Sequence, residues 1–172
     1  DITVTSIFIQ DQIDLSDNWK LMVGGRLDDF DITVDDIKNG TSESRNDNTF
    51  SPRAGIIYKP QENVSLYLSY SESFLPRSGE QFKALSATSA RLDPDVFEST
   101  EIGMKVALNE NMSLNAAYFD SEQVRAERDN DTGETSEVRG LTVDGFEIEL
   151  KGRVADSLNL AIAYSDLSGE TS

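Results

Sequence analysis

The chain has 172 residues, with 15 Lys plus Arg against 32 Asp plus Glu, and its formal net charge is −17. It contains no His and no Cys, which excludes Ser-His-Asp catalysis, His-ligated haem or zinc, thiolate metal sites and disulfides. A protein this acidic repels a phosphate backbone, so we expect no nucleic-acid partner. Most enzyme classes are thereby removed, and we expect a protein that is not an enzyme, has no catalytic residues and holds no resident cofactor.

Hydrophobic residues alternate with a period of two along most of the chain. In the segment Val-Ser-Leu-Tyr-Leu-Ser-Tyr, Leu66 and Leu68 share one face while Ser65 lies on the other. Strict alternation over seven or eight residues is the signature of a half-buried strand, so the predicted fold class is all-β. In chain order the predicted strands span about 2–15, 18–36, 49–60, 63–77, 96–109, 111–128, 139–155 and 157–168.

Short and long connections alternate between the predicted strands. The short ones are rich in Asn, Asp and Pro, which favour tight hairpin turns. The long, polar ones span about 37–48, 78–95 and 129–138. This rhythm is typical of an antiparallel up-and-down meander, such as an outer-membrane barrel with short turns at one end and long loops at the other. Soluble lipocalin-type barrels also meander, so the rhythm by itself does not separate the two classes.

The second face of most predicted strands is small or charged. It includes Arg26, Arg53, Lys105, Glu101 and Glu147. A soluble eight-stranded barrel fills its interior with bulky apolar side chains, so a polar second face predicts a wet lumen and an apolar face against lipid. We expect the lumenal cations to pair with carboxylates on neighbouring strands or on another domain.

Aromatic residues lie mostly toward the ends of the predicted strands, including Trp19, Tyr58, Tyr70, Tyr118 and Tyr164. Girdles of aromatic residues at the two membrane interfaces have this distribution. Aromatic residues at the rim of a soluble sheet would give the same pattern, and this alternative stays open.

Three stretches in fixed order resemble one family. Residues 7–31 end in a Gly-Arg-Leu-Asp segment, and residues 50–79 contain Ser-Pro-Arg-Ala-Gly and Ser-Tyr-Ser-Glu-Ser-Phe. Residues 92–152 contain LDPDVFESTEIGMKVAL and RGLTVDGFEIELKG. Together they resemble the barrel of TonB-dependent siderophore receptors. The resemblance implies a place in the bacterial outer membrane, a ferric siderophore as transported ligand, and membrane lipid and the TonB complex as partners.

The resemblance also implies that the chain is one part of a larger receptor. Barrels of this family have about 22 strands around a plug, whereas about eight are predicted here. Residues 1–172 are therefore expected to form a single barrel segment without the plug domain or the barrel-closing strand, and TonB would act through the missing plug. In isolation the strands would form an open sheet or a small closed barrel. The alternative is a complete small eight-stranded outer-membrane or surface barrel with a structural or adhesive role.

Two groups of residues are candidate sites. In the resembled family the outer loops contact the ferric chelate, so Phe82 and Arg91 in the predicted loop 78–95 are expected to bind it, and Arg suits an anionic chelate. Asp28, Asp29 and Asp31 are a weak Ca²⁺ candidate, because hard carboxylate oxygens suit that ion. Their spacing is not that of an EF-hand, and the alternative is a solvated acidic rim.

Overall fold

The computed structural model describes residues 1–37, 40–75, 94–128 and 135–171 as one antiparallel sheet of eight strands. The strands are β1 (Ile2–Asp14), β2 (Trp19–Asp36), β3 (Thr41–Gln61), β4 (Val64–Leu75), β5 (Asp95–Asn109), β6 (Met112–Arg128), β7 (Thr135–Ala155) and β8 (Leu158–Thr171). Each strand pairs with its neighbours in the chain, so the predicted all-β meander is confirmed. The sheet is open, with β1 and β8 as its edges. These ranges contain no helix that is long and apolar enough to cross a bilayer.

Two of the predicted long connections are wrong. Strand β3 begins at Thr41 rather than residue 49, because β2 and β3 stay paired out to Asp36 opposite Thr41. Strand β7 likewise begins at Thr135 rather than residue 139, opposite Arg128. Residues 42–48 are polar on both faces, so the sequence shows no alternation of apolar and polar residues there. The hairpin still extends through them, because its backbone hydrogen bonds do not require apolar side chains in this segment. The third connection, 78–95, lies mostly outside the described residues.

The pairing register sorts the side chains onto two faces. Residues directly opposite one another share a face, and the next residue along each strand lies on the other. One row reads Leu66, Met104, Ala116, Ile148 and Tyr164 from β4 to β8, and we call its side the apolar face. The adjacent row reads Ser65, Lys105, Asn115, Glu149 and Ala163, and we call its side the polar face.

The sheet has almost no hydrophobic core. Ile32 is the single buried apolar side chain in the described part of the chain. On the apolar face, by contrast, Ile9 is 78% exposed, Ile162 is 56% exposed and Leu68 is 48% exposed. A single sheet layer cannot bury its own apolar face, and an exposed apolar surface of this extent marks a face that something else covers.

Aromatic side chains lie at both ends of the apolar face. At one end the Trp19 and Tyr58 rings stack, with centroids 4.5 Å apart and planes at 27°. At the other end, four aromatic side chains each have an acidic side chain as their outer neighbour on the same face of the same strand. These pairs are Tyr70 with Glu72, Tyr118 with Asp120, Phe146 with Asp144, and Tyr164 with Asp166. The apolar face is therefore a belt with aromatic ends and an acidic margin.

Candidate functional site on the polar face

The Tyr67 side chain lies on the polar face across the neighbouring strand β5. Tyr67 is directly opposite Gly103, and a Cβ atom on residue 103 would overlap the Tyr67 ring. The Tyr67 hydroxyl donates a hydrogen bond to Glu101 Oε1 at 2.5 Å. The Lys105 Nζ lies 5.4 Å from the centroid of the Tyr67 ring, within cation–π range. One side chain therefore contacts three successive polar-face positions of β5, and glycine at the middle one provides the space.

A second charged group lies on β6 and β7. Lys151 Nζ is 2.8 Å from Glu149 Oε2, and Asn115 Nδ2 donates a hydrogen bond to the same oxygen at 3.0 Å. The charge of Glu149 is therefore compensated within the sheet. Glu147 also lies on the polar face, but within the described ranges it has no cation within 4 Å and no hydrogen-bond partner.

These two groups line one hollow of about 640 Å³ over β4–β8. Small residues, among them Ala117 and Ala163, line it as well. The acidic side chains of the hollow are Glu101, Glu147 and Glu149, and its cations are Lys105 and Lys151. Lys151 pairs with Glu149, and Lys105 lies over an aromatic ring. Among the described residues, neither Glu101 nor Glu147 has a cation within 4 Å. The hollow can therefore accept a cationic group from a partner.

A separate polar network lies on the polar face of β1–β3. Asp28, which is 7% exposed, accepts hydrogen bonds from Ser6 Oγ at 2.5 Å and from Arg26 Nε at 2.8 Å. On β3, Arg45 Nε donates to both carboxylate oxygens of Asp47, at 2.8 and 2.7 Å, and both side chains are 8% exposed. Each carboxylate is engaged by an arginine of its own strand, and Asp28 also accepts from Ser6 of β1, so neither carboxylate is left for a ligand.

The predicted candidate sites are placed as follows. Phe82 and Arg91 lie outside the described residues. Asp28 is on the polar face, whereas Asp29 and Asp31 are on the apolar side, where both accept hydrogen bonds from Asn46 Nδ2. The structure therefore does not bring the three carboxylates together. In the described ranges no group of three or more acidic side chains is arranged to hold a metal ion.

The lumenal ion pairs expected from the sequence are present in part. Arg26 pairs with Asp28 and Lys151 pairs with Glu149, but each carboxylate lies on the same strand as its cation and not on a neighbouring strand as expected. Arg53 instead donates to the Gln10 side-chain oxygen at 3.4 Å, and Lys105 contacts an aromatic ring. The role of Tyr67 was missed, and the available signal was a large aromatic residue between two serines on an otherwise small or charged face.

Comparison with known proteins identifies the family. The family model "TonB dependent receptor-like, beta-barrel" matches residues 1–171. The chain is 31% identical over 176 residues to the probable TonB-dependent siderophore receptor PiuA of Acinetobacter baumannii, covering 96% of this chain and 24% of that protein. It is 27% identical over 163 residues to the ferrioxamine B receptor of Salmonella typhimurium, covering 94% of this chain and 22% of that protein. The chain thus spans about a quarter of the length of these relatives.

Solved structures have the same fold. The crystal structure of the siderophore receptor PiuA from Acinetobacter baumannii matches with a TM-score of 0.82 at 28% identity, over 99% of this chain and 26% of that one. The alcaligin outer membrane receptor FauA from Bordetella pertussis matches with a TM-score of 0.83 at 23% identity, over 99% of this chain and 30% of that one. The open sheet does not favour the alternative of a complete small closed barrel. The chain belongs to the family of TonB-dependent receptors, and it covers part of their β-barrel.

Proposed function

We propose that this chain is part of the barrel wall of an outer-membrane receptor that takes up ferric siderophores. The observation that carries the proposal is the sheet with two different faces, one an exposed apolar belt and the other a charged surface with a hollow. Family membership supports it, as do relatives whose names describe siderophore and ferrioxamine B receptors.

The apolar face would lie against the lipid of the outer membrane. On β4 the belt runs from Val64 to Tyr70, which at about 3.3 Å per residue is roughly 20 Å along the strand. Outer-membrane barrels present an outward apolar band that ends in aromatic girdles at the two membrane interfaces. The stacked Trp19 and Tyr58 rings would lie at one membrane interface, and the aromatic side chains at the other end of the apolar face would lie at the second interface.

The polar face would line the lumen and meet the plug domain of the whole receptor. Glu101 and Glu147 face one hollow and have no cation within 4 Å among the described residues. On this sheet Glu147 is exposed and Glu101 is half-buried with one hydrogen bond from Tyr67. A plug over the polar face would take both carboxylates out of bulk water, which is costly unless a cation compensates them. We therefore propose that a cationic side chain of the plug enters the hollow and pairs with these two glutamates.

Uptake would proceed without covalent chemistry on this chain. Outer loops would capture the ferric chelate, with Phe82 and Arg91 of the loop 78–95 among its contacts. The TonB complex would then act on the plug, weaken its contacts with the polar face and open a path for the chelate. The contribution of this segment would be to hold the loop, face the lipid and bind the plug.

Uptake of labelled iron tests the proposal. The whole receptor gene would be expressed in a strain that lacks its own siderophore receptors, and ⁵⁵Fe uptake would be measured with one hydroxamate, one catecholate and one carboxylate chelate. We expect uptake of at least one chelate, dependent on TonB. Arg91→Ala should weaken chelate binding, whereas Arg153→Ala, at the β7–β8 turn end, should leave it unchanged. The absence of uptake for every chelate, with the receptor present in the outer membrane, would contradict the proposal.

A blot of the outer-membrane fraction of the source cell tests the placement in a larger receptor. An antibody raised against this chain should detect a band several-fold heavier than 19.0 kDa. A band near 19.0 kDa would instead support a small complete barrel.

A further inference from the structure

The Tyr67 side chain connects charged residues that face the proposed plug. The Tyr67 ring lies over Gly103. Its hydroxyl donates a hydrogen bond to Glu101, and the Lys105 ammonium lies near the face of its ring. All of these side chains except Gly103 line the same hollow as Glu147. A tyrosine has only two side-chain torsions, so a ring packed against the strand backbone holds its hydroxyl in a narrow range of positions.

The hydroxyl fixes the direction of the Glu101 carboxylate. A glutamate on a strand facing a wide lumen has several accessible rotamers, and ordering such a side chain costs free energy on binding. A hydrogen bond to a carboxylate is among the stronger hydrogen bonds in proteins. In this structure it occupies Oε1 of Glu101, and Oε2 has no partner in the described part of the chain. Tyr67 thus orders Glu101 in advance and leaves one carboxylate oxygen for a partner.

The same side chain separates Lys105 from Glu101. The two are four residues apart on the same face of β5, roughly 13 Å along the strand, and the Tyr67 ring lies over Gly103 between them. The Lys105 ammonium instead lies near the Tyr67 ring, and it has no carboxylate within 4 Å among the residues described. The negative charge of Glu101 is therefore left for a cation that is not on this sheet.

We propose that Tyr67 is a positioning residue for plug docking: it orders Glu101 and keeps Lys105 away from it, so that the Glu101 carboxylate receives a cationic side chain of the plug. The inference rests on the proposed function, because it requires a plug in the lumen. Two parts of Tyr67 then have different roles. The hydroxyl acts on plug docking through Glu101, whereas the ring fills the space over Gly103 and stabilises the barrel itself.

The test uses the whole receptor in planar lipid bilayers, with ion conductance as the measure of plug displacement at a fixed urea concentration. Tyr67→Phe keeps the ring and removes the hydroxyl, and we expect it to open roughly tenfold faster than the unaltered receptor, since one hydrogen bond to a charged group is lost. The Glu101→Gln receptor should open at least as fast as the Tyr67→Phe receptor. The double variant should open no faster than Glu101→Gln alone, because the hydroxyl acts through that carboxylate.

The controls separate positioning from barrel stability. Tyr58→Phe removes a hydroxyl on the opposite face and should leave opening unchanged. The thermal unfolding midpoint of the barrel should be the same for Tyr67→Phe and the unaltered receptor, whereas Tyr67→Leu, which removes the ring, should lower it. Unchanged opening of Tyr67→Phe, or additive effects in the double variant, would overturn the inference.

Failure of the proposed function gives a different result. If the unaltered receptor conducts without urea and Glu101→Gln changes nothing, no plug closes the lumen, and both the proposed function and the inference fall. If the unaltered receptor is closed and Glu101→Gln opens faster but Tyr67→Phe does not, the proposed function stands and the positioning role alone is wrong.

Discussion

Leu66 and Ser65 are adjacent in β4 but face opposite sides of the sheet, with Leu66 opposite Met104 and Ser65 opposite Lys105. If the apolar face lies in lipid, Leu66→Arg places a guanidinium among acyl chains and should destabilise the receptor by roughly 2–4 kcal/mol. Ser65→Arg places the same group in the lumen and should cost much less. Urea titration of receptor refolded in lipid vesicles measures both. Equal losses at the two positions would contradict the assignment of the faces.

The faces of the sheet could be predicted from the sequence because they depend on local alternation alone. The start of β3 could not, since residues 42–48 are polar on both sides and the hairpin is held by backbone pairing. The contact of Tyr67 with Gly103 could not be predicted either. It depends on the register between β4 and β5, and a shift of one residue would place Gly103 on the other face. Glu101 and Glu147 were recognised as charged lumenal residues, but their shared hollow required the tertiary arrangement.

Three glutamates lie directly opposite one another across β4, β5 and β6, beyond the aromatic end of the apolar face. Glu98 has Glu72 on one side and Glu122 on the other. Like charges in directly opposed positions destabilise a strand pair. Glu98→Lys places a cation between two carboxylates and should stabilise the receptor by roughly 0.5–1 kcal/mol at low salt. Because salt screens exposed charges, the gain measured by urea titration should shrink as ionic strength rises.

Glu110→Lys is the matched control for this effect. Glu110 lies in the exposed turn between β5 and β6, and the substitution changes the net charge by the same amount. It should leave the urea midpoint nearly unchanged. If Glu110→Lys stabilises the receptor as much as Glu98→Lys does, the gain comes from overall charge and not from the opposed glutamates.

The ion pair between Arg45 and Asp47 is nearly inaccessible to water, with both side chains 8% exposed. Asp47→Ala removes the carboxylate that accepts two hydrogen bonds from the Arg45 guanidinium and should cost roughly 1.5–3 kcal/mol. Replacing both partners, as Arg45→Met with Asp47→Leu, removes the desolvation cost as well and should recover most of that loss. Thermal unfolding of the purified receptor measures the difference.

The exposed ion pair between Lys20 and Asp14 is the comparison for that experiment, since the Asp14 side chain is 66% exposed. Asp14→Ala should cost less than about 1 kcal/mol, because water already solvates both charges. A double Arg45 and Asp47 variant that is as unstable as Asp47→Ala alone would show that side-chain packing, and not the lost ion pair, determines the loss.

Gly152 in β7 has a φ of 157° and lies against the β5–β6 turn. A Cβ atom there would overlap the backbone of Asn111 and Met112, which cannot move without breaking the pairing of β6 with β7. Gly152→Ala should therefore destabilise the receptor by roughly 1–3 kcal/mol. Gly169→Ala is the control, because the nearest atoms to its Cβ would be 3.8 Å away. It should be neutral or slightly stabilising, since alanine restricts the unfolded chain. Urea titration of the two variants should separate them, and equal stability would mean that the turn yields to the added methyl group.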